Sequence, residues 1–195
     1  MLLISLIFLS AAYASLLEYL LHRYVMHRSI SFFQYPFVAH ALTHHRIFKA
    51  DQSYHLTRET DRETIPMAWW NGPVLVAISA IPPTLISLTF DNWTILGIAV
   101  TAVAFYYCTY EYIHWCMHLP LPRRRLIEQA WLTGRIFYRL NGHHILHHRY
   151  MNQNFNVVWP LWDWVFGTLL RRSKIAFNQV RGPGVPDVQP SQPST

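Results

Sequence analysis

The chain has 195 residues, enough for one domain, with 52% apolar and only 13% charged residues. That charged share is about half of the ~25% usual in soluble globular proteins, which argues against a soluble domain and for a membrane protein. The formal net charge of +6 lies in segments beside apolar runs rather than in a stripe interleaved with stacking aromatics, so it reads as membrane orientation and no nucleic-acid partner is expected.

Met1 to Leu21 is the first apolar run, interrupted by a few Ser and by Glu18. Ala12-Tyr13-Ala14 has the form of a signal-peptidase site, but no Lys or Arg precedes Arg23, so a retained membrane helix is expected. Gly72 to Phe90 is an uncharged run of spanning length, and Pro82-Pro83 inside it predicts a kink or break. Trp93 to Tyr110 is a second uncharged run, and Asp91-Asn92 between the two is short enough to be only the tip of a hairpin. Each run approaches the ~20 residues that a span needs. Every Lys and Arg lies either between Arg23 and Arg62 or from Arg123 onward. The expected fold is therefore all-α and integral to the membrane, with about three transmembrane helices, one plus a hairpin. The amino terminus and hairpin tip face outward, and a helical, histidine-rich cap lies on the cytoplasmic side.

The shorter pieces follow. Leu126 to Leu140 mixes Arg with Trp131, Ile136 and Phe137 and reads as an amphipathic interfacial helix. Trp159 to Leu170 carries three Trp around Asp163 and is again interfacial in character. Arg181 to Thr195 is rich in Pro, Ser, Gly and Gln and is expected to be a disordered tail, leaving 1–180 as one membrane domain. Cys108 and Cys116 form no C-x-x-C pair and read as small buried thiols.

Twelve histidines are many for this length, and eleven fall in four clusters. His22 and His27 close the first run. His40, His44 and His45 form H-A-L-T-H-H. His114 and His118 form H-W-C-M-H at the end of the third run. His143, His144, His147 and His148 form H-H-I-L-H-H. Residues four apart share a helix face, as His40/His44, His114/His118 and His144/His148 do, with His147 flanking the last pair. His22 and His27 are five apart, which suits a helix end or a local bulge. All four clusters fall at or beyond the cytoplasmic ends of the expected spans and can converge. Neutral imidazole is a good ligand for iron, zinc and copper. Eleven clustered histidines exceed the needs of one metal, whereas two metals with about five ligands each use ten and leave each an open position.

H-R-Y-V-M-H, H-A-L-T-H-H and H-H-I-L-H-H resemble the histidine boxes of the fatty acid hydroxylase and sterol desaturase superfamily. Tyr110 followed by His114 through His118 resembles that family's fourth element. Leu161-Trp162-Asp163 with Phe166-Gly167-Thr168 resembles its W-D-x-x-F-G-T stretch. The resemblance runs over roughly Leu17 to Leu170. It implies ten metal ligands: His22, His27, His40, His44, His45, His114, His118, His144, His147 and His148. His143 is ambiguous, because the last box reads from either His143 or His144; the latter is favoured, with His143 supporting the ligands from behind. His55 matches no box and reads as a loop histidine.

A ligating imidazole usually hands its other N–H to a carboxylate or carbonyl. Glu18, four before His22, and Glu111, three before His114, are candidates for that task, as is Asp163. Asn152, Asn154 and Asn156 fit turn or surface use better than contact with a metal-bound water.

The resemblance implies two iron ions, O2 as co-substrate, and attack on an unactivated C–H bond of a membrane lipid: a fatty acyl, sterol, carotenoid or related chain. Zinc is a possible substitute for iron. No G-x-G-x-x-G is present, so electrons are expected from a separate carrier such as a ferredoxin or a cytochrome b5-like protein, docked on the basic face. Hydroxylation is favoured over desaturation, which starts from the same C–H abstraction. A non-catalytic metal-binding or transport protein is the rival from another class, but transport sites lie near the midplane. A zinc hydrolase is a further rival, but the chain has no H-E-x-x-H and too many histidines for the usual three-ligand site.

Overall fold

The computed structural model of the chain describes residues 1–123 and 131–171. The expected tail, Arg181–Thr195, and the first part of the expected 126–140 helix lie outside them. Among the described residues the fold is all-helical, without strands. Its long elements are α1 (Leu2–Leu21), α2 (Asn71–Ser79), α3 (Ile81–Thr89), α4 (Trp93–His118) and α5 (Trp131–Arg149), followed by the short α6 (Leu161–Val165).

Three stretches are long and apolar enough to cross a membrane: Leu3–Met26, Asn71–Thr89 and Trp93–His118. At ~1.5 Å per residue the shortest is about 28 Å long, close to the ~30 Å hydrocarbon thickness. Ile4, Ile81, Leu85 and Phe105 stand exposed on the outer faces of these helices, the arrangement of a surface that meets lipid.

The second span is the expected hairpin arm with its expected break. Pro83 has no N–H to return to the carbonyl of Ser79, and the freed carbonyl takes the hydroxyl of Tyr13 on α1 (2.9 Å). The break thus ties the hairpin to the first span. At the tip, Asp91 adopts φ 47°. The Asn92 side chain then caps α4, accepting from the Thr94 N–H (3.1 Å).

Two expectations need correction. The stretch read as an interfacial helix over 126–140 belongs, from Trp131, to α5, which runs on through the last histidine box to Arg149. The Trp-rich segment does not lie flat at the interface but runs along α1. Phe155 packs on Tyr19, the Ser15 hydroxyl bonds the Trp159 carbonyl (2.9 Å), Trp162 Nε1 bonds the Ala12 carbonyl (2.9 Å), and the Trp159 ring meets Phe8 (5.6 Å). From His22 to Phe8 a helix rises about 21 Å. Irregular backbone at that depth is tolerated because protein groups satisfy it.

A cap closes the end of the bundle where α1 and α4 finish. Tyr54, Tyr110, Met117, Phe137, Leu140 and Val157 form its main apolar core, and Phe48, Leu56 and Ile65 a second one. The histidines lie between these clusters.

Candidate metal centre

All four histidine clusters meet in the cap, in two groups of five. The first is His22, His27, His40, His45 and His147; the second is His44, His114, His118, His144 and His148. Within each group one ring nitrogen per residue lies within 4.8 Å of all the others. These are the ten residues singled out in the sequence, and His143 and His55 belong to neither group.

Local backbone geometry explains the sorting. In the second group, His114/His118 on α4 and His144/His148 on α5 are four apart on regular helices, so each pair shares a face. In the first group the pairs are five apart. His22–Met26 and Val38–His44 are π-helical. The His27 N–H donates to the His22 carbonyl (3.2 Å), and the His45 N–H to that of His40. A turn closed by an i→i+5 bond brings residues five apart together. Of the helix end or local bulge that the five-residue spacing of His22 and His27 suits, the structure has the bulge. His40 and His44, expected on one helix face, are separated instead: the π-turn gives His40 to the first group beside His45, and His44 to the second.

The groups share a wall, with the rings of His45 and His148 4.2 Å apart and those of His40 and His44 5.3 Å apart. Each borrows one ring from the other's boxes, His44 in one direction and His147 in the other.

Backbone carbonyls fix five of the rings. The Nδ1 atoms of His118, His147 and His44 face the carbonyls of Tyr54 (2.8 Å), Gln153 (2.7 Å) and Thr64 (3.2 Å). His22 and His148 face those of Phe155 and Phe48 in the same way. A carbonyl only accepts, so Nδ1 carries the proton and Nε2 is left as a bare lone pair in the neutral ring. These Nε2 atoms converge: His22 on His40 (2.9 Å), His27 on His147 (3.0 Å), His118 on His144 (3.2 Å), and His148 on His144 (3.0 Å). The buried Nε2 atoms of His44 and His114 meet no donor. A cluster of inward lone pairs with too few protons to share is a donor set that fits cations.

Electrostatics agree. Burial first, and the neighbouring imidazoles after it, push His27 down to about 2. Burial likewise takes His44 to about 3, although its bond to Thr64 opposes the shift, and His147 to about 4. His40, His45, His144 and His148 lie well below the usual imidazole value for the same leading reason. The rings are therefore neutral near pH 7, the form that coordinates a metal.

The expected carboxylate supports are placed differently. Glu18 does not bond His22; it accepts from the Tyr106 hydroxyl (2.7 Å), Asn156 Nδ2 (2.9 Å) and the Val157 N–H (2.6 Å). Glu111 makes no hydrogen bond to His114. Asp163 does bond an imidazole, that of His143 (3.2 Å), outside both groups. Burial alone would raise the Asp163 carboxyl, but His143, the Asn156 N–H and Thr168 hold it below its usual value. His55 sits in a loop, buried against Tyr54.

Asn154 and Asn156 are fully buried rather than at a surface. Asn154, at φ 56°, bonds the carbonyls of His143 (3.1 Å) and Leu170 (3.2 Å), and Asn156 bonds Ser15 and Glu18 of α1. Sequence reading missed the carbonyls of Phe48, Tyr54, Thr64, Gln153 and Phe155, because a main-chain acceptor carries no residue signature.

Between the three spans lies an apolar cavity of ≈ 140 Å³. Leu17, Leu21, Leu75, Ile78 and Val103 line it, together with His22 and Tyr110. The Tyr110 ring stacks 5.5 Å from His114, so the cavity approaches both groups.

The family model described as "Fatty acid hydroxylase" matches residues 7–168. Among curated proteins, the chain is 25% identical over 162 residues to "Fatty acid 2-hydroxylase" of Macaca fascicularis, covering 80% of this chain and 37% of the relative. It is 25% identical over 161 residues to the protein of the same name of Homo sapiens and 26% over 165 residues to that of Rattus norvegicus, each again with 80% of this chain and 37% of the relative. The chain thus spans little more than a third of these relatives' length. No solved structure shows a significant match to it. With the family model covering most of its length, the chain belongs to the fatty acid hydroxylase family.

Proposed function

We propose that the chain is a membrane-bound non-haem di-iron hydroxylase that inserts one oxygen atom of O2 into an unactivated C–H bond of a lipid hydrocarbon chain. The observation that carries this reading is the cavity. An apolar slot between the spans is lined by His22 of one group of five imidazoles and by Tyr110, whose ring stacks on His114 of the other. His22, His27, His40, His45 and His147 hold one metal, and His44, His114, His118, His144 and His148 the other. The reaction balances as R–H + O2 + two electrons + two protons giving R–OH + H2O.

When bound, the two irons supply the redox change that O2 reduction requires and that zinc cannot provide. The protein supplies binding, orientation and exclusion of water. Leu17, Leu75, Ile78 and Val103 hold the alkyl chain and keep water from it. The carbonyls of Phe155, Gln153, Tyr54, Phe48 and Thr64 hold ring tautomers and directions. The named relatives act on fatty acids at the 2-position. A fatty acyl chain is therefore the substrate class proposed, with its reactive carbon beside His22 and Tyr110. The electrons come from a separate carrier that docks on the basic face of the cap, which lies on the cytoplasmic side.

The test is lipid mass spectrometry on cells with and without the gene, beside metal analysis of the purified protein. A product heavier by one oxygen is expected, with about two irons per chain. His118→Ala and His148→Ala each abolish the product and lower bound metal, whereas His55→Ala retains both. A product lighter by two hydrogens would make the enzyme a desaturase. Full activity and full metal in both box variants would remove these histidines from the ligand set. Zinc can occupy the site after overexpression, since it binds imidazole more tightly than ferrous iron; activity with zinc alone would end the oxygenase reading.

A further inference from the structure

The two groups of imidazoles hang on different stretches of backbone. His44, His118 and His148 are held by carbonyls of the 48–64 region. His147 and His22 are held by Gln153 (2.7 Å) and Phe155. The Gln153–Val157 segment contributes no ring to either group, and it belongs to no helix that could fix it.

Two carboxylates fix it instead. Asp163 Oδ1 accepts from the Phe155 N–H (2.8 Å) and the Thr168 hydroxyl (2.7 Å). Asp163 Oδ2 accepts from the Asn156 N–H (2.7 Å) and His143 Nε2 (3.2 Å). Glu18 Oε1 accepts from the Val157 N–H (2.6 Å), while Oε2 takes Asn156 Nδ2 (2.9 Å) and the Tyr106 hydroxyl (2.7 Å). Three consecutive N–H groups, those of Phe155, Asn156 and Val157, are thus anchored by carboxylates that hydrogen-bond no ring of either group. Asp163 is wholly buried.

We propose that Asp163 and Glu18 are positioning residues for one metal position alone, that of His22, His27, His40, His45 and His147. They act through the main chain of Phe155–Val157, whose placement sets the acceptor for His22 directly and that for His147 through Gln153. This rests on the reading that the ten histidines hold two metals. Asp163→Asn is a sharp probe, because it exchanges one acceptor oxygen for a donor group. The amide then faces either the Phe155 or the Asn156 N–H, donor against donor, and the segment must move. Ligand groups have to sit within roughly 0.5 Å of the productive geometry, and loss of a supporting partner typically costs about 10–100-fold in metal affinity.

The test uses the full chain in lipid nanodiscs, stripped of metal and titrated with Zn²⁺ against a chelator, with helicity and size-exclusion profile as controls for folding. Wild type shows two binding steps. Asp163→Asn weakens one step about 10–100-fold and leaves the other in place. Glu18→Gln weakens the same step. His147→Ala identifies that step and His148→Ala the other. Should Asp163→Asn fail to fold, Glu18→Gln and the milder Thr168→Val, which removes one donor to Asp163 Oδ1, carry the same comparison. Unchanged steps in the folded variants overturn the proposal while the metal reading stands. Equal weakening of both steps shows a general structural role and also overturns it. A wild type that binds fewer than two ions ends the metal reading itself.

Discussion

The main-chain N–H of His27 donates to the carbonyl of His22, five residues back, at 3.2 Å. That single widened turn aims both rings into one group, and His45 repeats it on His40. An ordinary α-turn pairs residues four apart and the widened turn pairs residues five apart, but neither brings together residues six apart. Insertion of one Ala after Tyr24, whose side chain is exposed, should therefore leave a membrane-inserted protein with about one metal per chain and no turnover. Retention of two metals by elemental analysis would show that the phase of this turn does not matter.

Gly72 carries the shape of the cavity. A Cβ at this position would lie 2.5 Å from Tyr107 Cε1, and both residues are on α2 and α4 beside the slot. Tyr107 lines the cavity, so Gly72→Ala pushes its ring into the space proposed for the alkyl chain. Overpacking of this kind costs about 1–3 kcal/mol. The expected result is a drop of about tenfold in kcat/KM on long acyl chains, a smaller drop on shorter ones, and unchanged metal content. Assays across a chain-length series decide it, and equal losses at every length would refute the idea.

Acid should unfold the metal-free protein. An ordinary imidazole titrates near 6.5, but burial pushes His27, His44 and His147 down to about 2, 3 and 4. Below 6.5 the unfolded chain binds protons that the folded chain refuses, so stability falls as pH falls through that window. The melting temperature of metal-free protein should drop between pH 7.5 and pH 5. Bound metal should be released over the same range as protons compete for Nε2. A melting temperature that stays flat would contradict the burial argument.

The hairpin tip should face away from the cytoplasm. Phe90 is exposed beside Asp91, and Lys and Arg are absent from the neighbourhood. With Cys108 replaced by Ser, Phe90→Cys should react with an impermeant thiol reagent applied to intact cells. Reaction only after the membrane is opened would invert the topology.

Much of this was legible in the sequence because it rests on period and composition. Apolar runs mark the spans, Pro82-Pro83 marks the break, and the spacing of His22 and His27 narrows that turn to a helix end or a bulge. What escaped depends on backbone phase and on main-chain atoms. His40, His44 and His45 look like an α-helical i,i+4 pair with an extra ring, and only a π-turn splits them between two groups. Glu18 lies at the right helical distance to reach His22, yet it serves Val157 and Asn156, more than a hundred residues away. Asn154 and Asn156 have the composition of a surface turn, and burial becomes evident only once α1 is packed against them.

The interlocked sharing of His44 and His147 has a consequence for the order in which the protein is made. Neither group of five is complete without a ring from α5, and α5 follows all three spans in the chain. During synthesis the amino-terminal parts emerge and organise first. The first three clusters therefore reach the membrane as an unfinished cage of seven rings. Insertion of the spans comes first, and closure of the cage waits for the last helix.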